Sequence, residues 1–166
     1  MQTNKQEITD IFKNWLENYL KKHYNDEFFI EVKIPESNLS KLAIDSIKSI
    51  PGFSSFDFKP DILGILQNKK TKKVELVFLN RSANAISLKE IGEMLCYSKI
   101  SQPILSFIAS PKGLPNEVNL LLLNKERENQ LLSYSSTNKI IIFKWNSQKN
   151  YLDLNSIFPL ESRNKI

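Results

Sequence analysis

Cysteine is almost missing: Cys96 is the only one in 166 residues, so no intramolecular disulfide can form, and the usage fits a reducing compartment. Histidine is equally scarce. With His23 and Cys96 as the sole members of their kinds, the chain falls short of the usual structural zinc sets, and nothing marks His23 as the base of a Ser-His-Asp arrangement. Four glycines and seven prolines leave little room for low-complexity linkers. Neither a Walker loop nor a Gly-x-Gly-x-x-Gly occurs, so nucleotide binding by those routes is unsupported. No apolar run approaches a membrane span, and the opening MQTNKQEITD lacks the apolar stretch of a secretory signal. A cytoplasmic protein with no membrane partner is the expectation.

What is present is a balance suited to folding. Hydrophobic residues make up 41% of the chain against 25% charged, well away from compositions that stay disordered, and the length fits one domain over 1–166. The 23 basic and 18 acidic residues leave a net charge of +5, which suits a polyanionic partner but is common among proteins that bind none.

Residues 5 to 22 place Ile8, Ile11, Phe12, Trp15, Leu16, Tyr19 and Leu20 at helical spacing. EFFIEVKI reads as a strand ending at Pro35, and a second helix with Leu39, Leu42, Ile47 and Ile50 on its apolar side is expected between the cap residues Ser37-Asn38 and the stop Pro51-Gly52. DILGIL and VELVFLN flank QNKKTKK as a hairpin whose turn has no glycine. Ser87 and Glu90 form a capping box before a helix carrying Leu88, Ile91, Met94 and Leu95, with Cys96 expected to be buried in it. ILSFIAS reads as a buried strand, 115 to 133 as one long helix, KIIIFKW as a final strand, and the tail from Asn146 as irregular cover. Trp15, Phe143 and Trp145 lie in apolar stripes, which favours core packing over base stacking.

Helix, strand, helix, hairpin, helix, strand, helix, strand is the order of an α/β sandwich with a mixed sheet. Pro60-Asp61 heads the hairpin, Glu75 lies on its second strand, and GEMLCYSKI on the next helix carries Glu93 and Tyr97 in a Gln-x-x-x-Tyr-like spacing. In these features the chain resembles the PD-(D/E)XK nuclease superfamily. The resemblance implies a restriction endonuclease-like sandwich, a central mixed β-sheet flanked by helices, acting on DNA as a Mg-dependent (or Mn-dependent) phosphodiesterase.

That chemistry needs carboxylate oxygens to hold a hard divalent ion, which polarises the phosphate and activates water, and a lysine to steady the attacking hydroxide. The resemblance gives the metal to Asp61 and Glu75. Hairpin geometry leaves two registers open: a turn centred near Asn68 sets Asp61 opposite Glu75, whereas one near Lys69-Lys70 displaces Glu75 by about 10 Å. The resemblance favours the first, and on that choice Val77 stands where the family has lysine. Lys89, Glu93 and Tyr97 form one row on the helix, so Lys89, or else Lys73, is the candidate replacement, with an exposed i,i+4 stripe as the alternative. Glu7 or Glu17 could add a ligand, while the literal Glu31-Val32-Lys33 precedes Asp61 and reads as a solvated strand face.

Lys69, Lys70, Lys72 and Lys73 on the turn and Lys112 on the loop SPKG are the candidate DNA-binding residues; a merely solvated turn is the competing account. Two other readings stand beside hydrolysis. One is a catalytically inactive nuclease-like DNA-binding subunit, as a homodimer or with a partner subunit, and the other is a protein-interaction module on the same fold.

Overall fold

The computed structural model describes residues 5–166 and is α/β, with a six-stranded mixed sheet flanked by helices. The strands lie side by side in chain order: β1 (Phe28–Lys33), β2 (Ile62–Asn68), β3 (Val74–Arg81), β4 (Leu105–Ser110), β5 (Ile140–Asn146) and β6 (Tyr151–Phe158). The pairs β1–β2 and β5–β6 are antiparallel, and β4–β5 is parallel. The chain divides into two compact units, one ending at Phe78 and one running from Leu79 to Ile166.

In the first unit, α1 (Lys5–Tyr24) buries Phe12, Leu16, Tyr19 and Leu20 as its periodicity predicts. Glu7 in its first turn and Lys21, Lys22 and His23 in its last complement the helix dipole. β1 pairs with β2 so that Val32 meets Gly64 and Glu31 meets Ile65. The helix expected over Leu39 to Ile50 is instead broken into a 3-10 turn at Leu39–Lys41, the single-turn α2 (Asp45–Lys48) and another 3-10 turn at Phe53–Ser55. Asn38 supplies no helix cap, because its side-chain amide donates to the Asp57 carboxylate, and Leu42 and Ile44 are extended. Leu39, Ile47, Phe56 and Phe58 are nevertheless buried, so the apolar pattern is satisfied without a continuous helix.

In the second unit, α3 (Leu88–Ser101) starts at the expected capping box. The Ser87 hydroxyl accepts from the Glu90 amide at 3.3 Å and the Glu90 carboxylate accepts from the Ser87 amide at 2.8 Å. Burial pushes the Glu90 carboxyl up, but hydrogen bonds from the Ser87 backbone and the Ser87 and Ser82 side chains outweigh it and hold the group below its ordinary value. Ile91, Met94 and Ser98 face inward, and the polar member of that stripe is satisfied by a 2.7 Å hydroxyl pair with Ser106. Cys96, expected to be buried, is exposed, because it falls outside the row of Ile91, Met94 and Ser98.

β4 is buried at every position, and its parallel register with β5 sets Phe107 beside Ile141. The long helix expected over 115 to 133 is two helices, α4 (Asn116–Leu123) and α5 (Lys125–Leu132). Asn124 between them is extended, and its side-chain oxygen accepts from the Arg127 amide, capping α5 at the point where α4 would have continued. The tail expected to be irregular contains β6, joined to β5 by a turn in which the Asn146 side chain accepts from the Gln148 and Lys149 amides and Asn150 is left-handed. The alternation in YLDLNSIF was the available signal.

Candidate functional site

The hairpin register decides the proposed metal pair. Asn68 closes the turn instead of forming its centre: its amide donates to the Lys73 carbonyl at 2.9 Å, and its side-chain oxygen accepts from the Lys70 and Thr71 amides at 3.0 and 2.9 Å. Lys72 completes the reversal in the left-handed region, with φ at 62°. Four residue pairs further on the alignment is the same, since Gly64 faces Val77 so closely that a β-carbon on Gly64 would lie 3.0 Å from the Val77 Cβ.

This register matches neither alternative drawn from the sequence. It sets Glu75 level with Leu66, five positions along β2 from Asp61, about 17 Å at strand rise. Asp61 and Glu75 therefore do not share a metal site. Glu75 instead accepts a 2.6 Å ion pair from the exposed Lys73. Val77, in the position assigned to lysine, is fully buried against Gly64.

On this register Phe78 is set against Leu63. It is fully buried, with its ring edge-on to Phe58 at 5.2 Å. Asp61 itself is half-buried. Among the described residues, no three His, Cys, Asp or Glu side chains group so that they could hold a metal ion, and the residues assigned to Mg or Mn do not fit one.

The other predicted ligands and helpers are occupied or outward-facing. Glu17 accepts from Lys21 at 2.6 Å, and that hydrogen bond holds its carboxyl below the ordinary value against a smaller opposing effect of burial. Glu31 and Lys33 pair at 3.4 Å on the solvated side of β1, as their alternation suggested. On α3, Lys89 and Glu93 are exposed and Tyr97 is half-buried, so the row predicted from their spacing exists on the helix surface.

The lysines of the turn are gathered into one short segment. Lys70, Lys72 and Lys73 are exposed and Lys69 is half-buried. The Lys69 and Lys72 ammonium groups sit 5.5 and 5.7 Å from the centroid of the exposed Phe29 ring, and they donate to the Asn25 and Lys69 carbonyls at 2.6 and 2.9 Å. The turn backbone is thus fixed by Asn68 while its cations project around it.

Lys112 lies in the second unit on the loop after β4. The Ser110 hydroxyl accepts from the Lys112 and Gly113 amides at 3.0 and 3.1 Å, and the Lys112 ammonium reaches the Asn84 side-chain oxygen at 3.5 Å. Sequence reasoning missed its neighbour Lys144, whose exposed side chain interrupts an otherwise buried strand in KIIIFKW.

No protein-family model matches the chain, and no curated protein matches it. No helix among the described residues is long and apolar enough to cross a membrane.

Proposed function

We propose that the chain is a nuclease-like α/β protein that binds nucleic acid, with duplex DNA as the first substrate to test, and does not hydrolyse it. The observation that carries this reading is the hairpin register, which displaces Glu75 along β2 from Asp61 and leaves it paired with Lys73. Phosphodiester hydrolysis by a hard metal requires convergent oxygen ligands, and this hairpin separates its two acids by about 17 Å.

Binding is supported by the lysine turn. Exposed ammonium groups displace counterions from a phosphate backbone without reading bases, so Lys70 and Lys72 are the principal contacts, with Lys69 beside them. The protein acts in this reading as a single-copy or partnered subunit that holds DNA while any strand scission is performed elsewhere.

Supercoiled-plasmid incubation with Mg²⁺ and with Mn²⁺, run beside a gel-shift titration, tests both halves. Binding without metal-dependent nicking is the expected result. Nicking that disappears in Asp61→Ala would overturn the non-hydrolytic reading, and absence of any salt-sensitive binding would overturn the nucleic-acid reading in favour of a protein-interaction module.

A further inference from the structure

We infer that the second unit carries a binding cleft for a small amphiphilic anion, a carboxylate or phosphate headgroup on an apolar body, held between Lys112 and Lys144. The cleft encloses about 320 Å³, at the lower end of the volumes that hold small ligands. It lies beside the loop that follows β4 and against Ile142, Phe143 and Lys144 in the middle of β5, with Lys144 level with Ser110 at the carboxyl end of β4. Its position is independent of the lysine turn and of the nucleic-acid reading.

Three features of the chain build it. Gly113 is left-handed, with φ at 69°, and its open side faces Lys144, whose Cβ would lie 3.5 Å from a β-carbon on Gly113. The loop therefore brings Gly113 against the stem of Lys144, and Lys112 and Lys144 both border the cleft. The β5–β6 ladder shifts register between Ile142 and Lys144, and there the Ser156 hydroxyl takes over a ladder position by accepting from the Lys144 amide at 2.7 Å. Such bulges re-aim side chains at sheet edges and beside binding sites. Finally, α4 ends at Leu123 and the C-terminal 3-10 turn begins at Leu160, and these two leucines border the cleft while remaining 61% and 54% exposed.

The chemistry of the lining selects the ligand. Ile142, Phe143, Ile157 and Phe158 form an apolar floor, and the polar members are two lysines, two asparagines and one serine. Among the described residues no carboxylate lines the cleft, so the positive side chains of Lys112, whose ammonium lies 3.5 Å from the Asn84 side-chain oxygen, and of Lys144 meet no acid there, and an anion gains both charges. A nucleic-acid strand would satisfy the lysines but leave Leu123 and Leu160 in water. An anion with an aliphatic body satisfies both.

The test is an NMR titration of the ¹⁵N-labelled full chain with octanoate, and with 1-octanol as its neutral counterpart. Saturable shifts are expected at the amides of Gly113, Lys144 and Ser156, with octanol weaker by at least about tenfold. Lys112→Gln with Lys144→Gln lowers octanoate affinity by about tenfold and leaves octanol unchanged, whereas Leu123→Gln weakens both. The octanoate-to-octanol ratio is read on the wild type, so the test survives a variant that fails to fold. Absence of saturable shifts, shifts confined to other residues, or equal affinity for the two probes overturns the inference. Binding to phosphatidylglycerol vesicles without binding to octanoate assigns the lysines to a lipid surface, and displacement of the same shifts by an oligonucleotide alone assigns them to nucleic acid; either result also overturns it.

Discussion

Gly64 and Val77 face each other across the β2–β3 hairpin at a separation into which a side chain on Gly64 would fit only by displacing its neighbours. A β-carbon there would stand 3.0 Å from the Val77 Cβ and 3.1 Å from Leu20 Cδ1 of α1. This pairing fixes the hairpin register and the seating of α1 together, and the register is what separates Asp61 from Glu75.

Gly64→Ala therefore overpacks the interface between α1 and the hairpin. A loss of about 1 to 3 kcal/mol is expected, the range for forcing one extra carbon into a well-packed site. Urea unfolding should show a lower midpoint at an unchanged slope. An unchanged or higher midpoint would mean that helix and strand have slack the geometry does not show.

The salt dependence of DNA binding reports on the turn. Each lysine that releases a counterion contributes about 0.9 to the slope of log affinity against log salt, so Lys70→Ala and Lys72→Ala should each flatten it by about one. Lys73→Ala should change it less, since Lys73 is engaged with Glu75 at 2.6 Å. Equal slopes for all three variants and the wild type would place the DNA elsewhere.

A four-membered ion cluster governs the acid response of the second unit. The buried Glu128 accepts from Lys125 and Lys139 at 2.8 and 2.6 Å, and Glu161 accepts from the same two lysines at 3.0 and 2.9 Å. The hydrogen bond from Lys139 is the main cause that holds the Glu161 carboxyl at about 2, from an ordinary 4.5, and the two carboxylates raise Lys125. A carboxyl depressed in the folded state stabilises fully above its unfolded value and loses that contribution as pH falls, here from about 4.5 down to about 2. Melting curves of wild type and Glu161→Gln should differ at neutral pH and converge across that window. A constant gap would show that Glu161 stabilises by shape and not by charge.

The capping box of α3 gives a local check. Ser87→Ala removes the acceptor for the Glu90 amide and should lower stability by about 0.5 to 2 kcal/mol, with Ser87→Asp restoring most of it. Chemical denaturation of the three proteins measures this directly. No loss in the alanine variant would mean that α3 is started by its packing alone.

The elements that were legible in advance are those whose side chains repeat over a long segment or stay apolar throughout. The α1 stripe from Phe12 to Leu20 and the buried runs of β4 and β5 left one arrangement that removes them from water. The misread elements each turn on one asparagine. Asn38 is drawn to Asp57, Asn124 caps Arg127 in the middle of an apolar segment, and Asn146 organises the reversal into β6. An asparagine side chain competes with the backbone for the same amides, and periodicity carries no record of which contest it wins. The hairpin register differs from both expected alignments for the same reason. Asn68 was read as a residue at the centre of a turn, and it is the acceptor at the turn's base, which moves every opposing pair along the hairpin.

The division after Phe78 falls inside β3, not in a connecting loop. A gene split at that codon would cut β3 between Phe78 and Leu79, leaving part of the strand in each product. Fusions, tags and reporters belong instead at the reversal between Asn146 and Tyr151, where side-chain bonds from Asn146 and the left-handed Asn150 already turn the chain outside the strands.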